Sequence, residues 1–128
     1  MALTFHANLV YPDLQCRRLS FLDRDDESSE HYLIFDRSEE SPDEAIPDMG
    51  NVYLERDDQG WGGYGGIESV TLGRSDLTFR LTPKMAERMG DHEMILVKFD
   101  VGIDQWESIR SVAAVIMKGY ESHLVVNG

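Results

Sequence analysis

Carboxylates are the most abundant reactive groups in this chain: 24 acidic residues stand against 12 lysines and arginines in 128 residues, a formal charge of −12. Two carboxylates at a suitable separation do general acid–base work, and acids are abundant enough here for many pairs. Abundance is itself the objection, because nothing singles out one pair. The other reactive groups are sparser. His6, His31, His92 and His123 share no short zinc-site spacing, and the single cysteine, Cys16, adds little to them. Arg17 and Arg18 beside Cys16 would lower a thiol pKa, but an inert buried thiol is the expectation. Asp23, Asp25, Asp26 and Glu27 do not follow the twelve-residue calcium pattern with its central glycine and terminal glutamate. Ser20, Ser69 and Ser75 have no nucleophile-elbow context.

The stretch Gly60-Trp-Gly-Gly-Tyr-Gly65 matches G-x-G-x-x-G in form. A dinucleotide site needs a helix N-terminus after the glycines to receive the pyrophosphate. Here Ile67 to Leu72 reads as a strand, and Asp57 and Asp58 would repel phosphate. The stretch therefore reads as a glycine-rich loop joining two strands. Trp61 and Tyr64 on it are either anchors for a partner or lids over their own sheet, and the sequence leaves both open.

Charge is uneven along the chain. From Asp23 to Asp48, eleven acids face only Arg24 and Arg37, a net −9 of the total −12. Solvated, solubilising loops are the plain reading of such a run. The sharper reading is a docking surface, since this balance disfavours nucleic acid and anionic membranes and favours a basic partner, whose approach the field would speed. One cysteine excludes a disulfide framework within the chain and suits a reducing compartment. The N-terminus shows no basic region followed by an apolar run, and no window reaches the length of a membrane span. The expectation is a soluble, cytoplasmic, unexported protein.

Period-two patterning dominates the elements that must position these groups. Leu3, Phe5, Ala7, Leu9 and Tyr11 share one parity and predict a single strand ended by Pro12-Asp13. Further strands are predicted over 17–22, 31–35, 52–56, 67–72, 77–81 and 93–100, with an acidic, proline-containing loop over 38–50. Thr82 as N-cap and Pro83 behind it open a short helix that Gly90 stops. Asp104 and Glu107 form a capping box for a last helix with Trp106, Ile109, Val112, Ala113 and Ile116 on its buried stripe. Gly119 ends that helix, and 120–128 holds one more short strand. Strands first and helices late predict one α+β domain, 1–128, mostly β. Its antiparallel sheet would have about six to seven strands, with the short helix and the C-terminal helix packed on one face.

The run His31-Tyr-Leu-Ile-Phe-Asp-Arg37, then Tyr53-Leu-Glu55, Asp58-Gln59, Tyr64-Gly-Gly-Ile67, Leu72 and Leu77-Thr-Phe-Arg-Leu81 resembles the immunity protein 10 family of bacterial polymorphic toxin systems. The likeness continues through Ile95-Leu-Val-Lys-Phe99 and covers residues 31–118. It implies a small, mostly β, cytoplasmic protein that binds and neutralises a cognate toxin, without turnover and without a cofactor. Trp61 and the doubled Gly62-Gly63 depart from the pattern, and no binding role carries over from it. From the residues themselves, the expected partner-binding set is Asp43, Glu44, Asp48, Glu55, Asp57, Asp58, Trp61 and Tyr64. The acids would meet a basic toxin surface, such as the phosphate groove of a nuclease, and the aromatics would anchor it. No catalytic residue, metal or cofactor is expected, nor a nucleic-acid or membrane partner, and the chain would be a monomer or a homodimer. The alternative is a general protein-interaction or small-ligand-binding module with a pocket under the glycines. A carboxylate-pair enzyme is the remaining rival.

Overall fold

The computed structural model describes residues 2–23, 31–38 and 52–127, with the backbone alone over 58–60. Within these, ten strands form two five-stranded sheets. Sheet 2 is a meander of β2 (Leu9–Asp13), β3 (Arg18–Leu22), β4 (Tyr32–Arg37), β5 (Val52–Arg56) and β6 (Asp58–Tyr64), each antiparallel to the next. Sheet 1 has the order β1 (Ala2–His6), β9 (Met94–Lys98), β8 (Asp76–Leu81), β7 (Ile67–Gly73), β10 (Leu124–Asn127). Its centre, β7, β8 and β9, is antiparallel. Its two edges, β1 and β10, run parallel to β9 and β7. The sheets share one core, with Phe35 of β4 edge-on to Phe79 of β8 at 4.9 Å and Phe21 stacked on Phe99 at 6.0 Å.

The α+β class and most strands stand as expected, but the single antiparallel sheet does not. After His6 the chain leaves sheet 1, and by Leu9 it is in sheet 2. The inward parity shifts on the way: Ala7 and Val10 are buried, while Tyr11 is 49% exposed. Val10 is apolar like its neighbours, so the pattern hid the break. The glycine-rich stretch is not a loop either. Asp57, in the left-handed region at φ 62°, turns β5 straight into β6.

The glycines of β6 and of the turn after it answer to close packing. Glu55 pairs with Gly62 but Arg56 with Asp58, so 59–61 form a bulge. A Cβ on Gly62 would lie 2.4 Å from the Leu54 carbonyl oxygen, and one on Gly66 (φ 77°) would lie 2.6 Å from Met85 Cβ. Gly62→Ala or Gly66→Ala should each cost more than about 1 kcal/mol, read as a lower urea midpoint. An unchanged midpoint for Gly62→Ala would mean that β5 and β6 pair more loosely than this register, and for Gly66→Ala that Met85 gives way.

Helix α1 (Pro83–Arg88) begins as predicted, with Thr82 Oγ1 accepting from Met85 N at 3.3 Å, and Gly90 follows it at φ 84°. Helix α2 (Ile103–Ile116) buries the predicted stripe against β2, β3 and β4. Its capping box is absent: the N-cap is Gly102, Asp104 lies inside the first turn, and Glu107 pairs with Arg110 at 2.6 Å. The helix starts earlier than the acid, so Asp104 acts only through the helix dipole.

Two arginines of sheet 2 reach the far ends of these helices. Strand parity puts Arg37 with Leu33 and Phe35, and Arg56 with Val52 and Leu54, so both point inward and are buried. Arg37 Nη1 donates to the Ile116 and Lys118 carbonyls, each at 2.7 Å, and the guanidinium stands 5.0 Å from the Tyr120 ring. Arg56 donates from Nη2 (2.9 Å) and Nε (3.3 Å) to the Met89 carbonyl, with Trp61 3.8 Å away as its stacking partner. Helix C-termini carry unpaired carbonyls and partial negative charge, and α2 has no basic residue in its own last turn. Burial pushes both guanidinium pKa values down, yet arginine stays charged.

Candidate functional site

The outward parity of sheet 2 collects tyrosines. Tyr11 faces Ser20, Ser20 faces Ile34, and Ile34 faces Glu55 across β2 to β5. Tyr32 shares parity with Ile34, Tyr53 with Glu55, and Tyr53 pairs with Tyr64. Four of the five tyrosines in the chain therefore lie on one face, with Asp36 and Glu55 among them.

Each carboxylate on this face is held. Glu55 is only 6% exposed and accepts from the Tyr32 hydroxyl through Oε2 and from the Tyr53 hydroxyl through Oε1. Asp36 accepts from Arg18 Nε (3.0 Å) and Nη2 (2.9 Å). Burial pushes the Asp36 carboxyl up, against the pull of Arg18. The Tyr64 ring, 59% exposed, leans on the Tyr53 ring at 4.9 Å. The result is an aromatic surface built over a buried, hydrogen-bonded carboxylate. Tyrosine is enriched at interface hot spots because it offers a large, stiff, amphipathic contact.

Burial first, and then the hydrogen bond to Glu55, push the Tyr53 phenol up from 10.0 to about 12. A folded pKa above the unfolded one gives stability that is whole below the ordinary value and is lost as pH rises through the folded value. Tyrosinate absorbance should therefore show one phenol titrating near pH 12, and Glu55→Gln should bring it down. If all tyrosines titrate together at the ordinary value, the phenol–carboxylate pairing is absent.

The expected site residues divide. Glu55 and Tyr64 come together, joined by Tyr53. Asp57 is drawn away: it accepts from Tyr32 N (3.0 Å) and Arg56 Nη1 (3.0 Å) and meets His31 Nδ1 at 3.3 Å. Trp61, 43% exposed, stacks on inward-pointing Arg56 and so faces opposite to Tyr64. Asp43, Glu44, Asp48 and the Asp58 side chain lie outside the described residues. Tyr32, Asp36 and Tyr53 are additions; the i, i+2 spacing of Tyr53 and Glu55 was the available signal. Cys16 is exposed rather than buried, and its thiol is pushed up, not down, by a hydrogen bond and charge from Asp13. Among the described residues no group of three His, Cys, Asp or Glu could hold a metal ion, and no helix is long and apolar enough to cross a membrane.

No curated protein matches this sequence. The family model described as Immunity protein 10 matches residues 4–107, from β1 into α2. That match spans most of the chain, and the protein belongs to the immunity protein 10 family.

Proposed function

We propose that this protein neutralises a cognate toxin by binding it on the tyrosine face of sheet 2. An immunity function in general follows from the family, as does the expectation of a toxin partner and of action without turnover. One observation carries the choice of face: Tyr32 and Tyr53 both donate to Glu55, and Tyr64 stacks on Tyr53 while staying exposed. Asp43, Glu44 and Asp48 fall in the segment joining β4 to β5, two strands of that face, and add to the negative field of a chain at −12. Such a field speeds encounter with a basic partner, such as a nuclease that binds phosphate. Asp57, Asp58 and Trp61 serve at the margin, on the β5–β6 turn and bulge. The site of action is the cytoplasm.

The test is co-expression of this chain with the C-terminal toxin domain encoded beside its gene. Rescue of growth and a stable co-purified complex are expected. No rescue and no complex would favour the ligand-binding module instead.

A further inference from the structure

A cleft of about 360 Å³ lies between β1 and the ends of β3, β4 and β5. Leu3, Thr4, Phe5 and His6 all line it. Successive side chains of a strand point to opposite faces, so a cleft touched by four in a row follows the strand's edge. Among the described residues that edge is open, because β1 is the last strand of sheet 1. Ala7 N donates to the Lys98 carbonyl at 2.8 Å. In a parallel ladder, alternate residues face the neighbour. Leu3 and Phe5 therefore face β9, while Thr4 and His6 turn N–H and C=O outward. Those groups have no protein partner among the described residues.

The side-chain groups of the cleft leave less to offer. Asp57 already serves Tyr32 N, Arg56 and His31. The Thr4 hydroxyl, the His6 imidazole and the outward backbone of β1 line the opening above a floor that includes buried Leu33 and Ile95. The other sheet edges carry the usual guards against strand addition: Pro12 in β2, the bulge in β6, and only four residues in β10. Strand β1 has no proline, bulge or charged Lys, Arg, Asp or Glu.

We propose that β1 takes up an extended, basic segment of the toxin as an added strand of sheet 1, with apolar side chains of that segment entering the cleft. The inference rests on the toxin-binding reading above. Charge favours a basic segment, since Asp23 and Asp57 stand against Arg56 in the cleft wall of a chain at −12. Continuity favours the same partner, since Tyr32 lines the cleft and also bonds Glu55 on the tyrosine face. Main-chain pairing supplies affinity and the cleft supplies selectivity, as in other strand-addition complexes.

The experiment uses the full chain and the neighbouring toxin domain. Thr4→Pro removes an outward N–H and leaves the β9 ladder intact, so the melting temperature should hold while binding weakens about tenfold. Amide exchange on the unmodified chain should slow at Thr4 and His6 in the complex. Thr4→Lys, which keeps the N–H but sets a cation in the path of a basic segment, should weaken binding as well and serves if the proline variant fails to fold. Parent-like affinity in the folded variants, with β1 amides exchanging alike free and bound, overturns strand addition. If Tyr64→Ala still weakens binding in that case, the tyrosine face stands. A toxin domain that forms no complex with the parent chain removes both.

Discussion

Arg37→Ala should lower stability by about 3 kcal/mol, a fall of about 10 °C in melting temperature for a chain of this size. The substitution strips two charge-assisted bonds from the C-terminus of α2. Ile116 is fully buried, so water has no easy route to replace the cation at its carbonyl. The stack on Tyr120 goes too. Removing a buried charge also removes its desolvation cost, which keeps the loss below the sum of its parts. Arg37→Lys should recover only part, since a single ammonium lacks the guanidinium fork. Urea unfolding gives the number, and amide exchange at 113–118 locates it. A loss within about 0.5 kcal/mol, the range of ordinary surface changes, would mean that solvent reaches that helix end.

Tyr64→Ala should weaken toxin binding about thirtyfold, roughly 2 kcal/mol, with little change in melting temperature. The ring is 59% exposed and leans on one neighbour, Tyr53, so folding has little to lose. Trp61→Ala should show the opposite pattern. It exposes the Arg56 guanidinium that caps α1 and forfeits a cation–π contact, for a stability loss of about 1 kcal/mol, while toxin affinity changes less. Titration calorimetry beside thermal melts separates the two. If Trp61→Ala abolishes binding and Tyr64→Ala does not, the toxin docks on the α1 side of β6.

What the sequence made legible was local. Thr82 with Pro83, Gly90, and the stripe from Trp106 to Ile116 are read within one or two helical turns, and all reappear in the structure. The pairing of β7 with β8 is a short hairpin and was equally plain. The move from sheet 1 to sheet 2 after His6 was not, because Val10 is apolar on the parity that should have been polar. Strand β6 was read as a loop because glycine has low strand propensity, whereas here a side chain at Gly62 has no room. Arg37 and Arg56 betray their inward direction only once the ends of β4 and β5 are known. The site behaved likewise: Tyr53 and Glu55 lie two apart, but Tyr32 joins them through strand register, which spacing along the chain does not reveal.

The two sheets also differ in when they can exist. Sheet 2 pairs only neighbours, and its last strand has been synthesised once Tyr64 is added. Sheet 1 is stitched from remote parts of the chain: Ala2 waits for Met94, and Leu124 returns to Val70. Local pairings form quickly and distant ones slowly, so the neighbour-to-neighbour pairings of sheet 2 form ahead of the closing of β1 onto β9. Through that interval β1 is an uncharged strand without its neighbour, the kind of species that associates wrongly. Closing β1 onto β9 is then a long-range step of folding, and variants that slow it would delay the finished molecule without touching any residue of the tyrosine face.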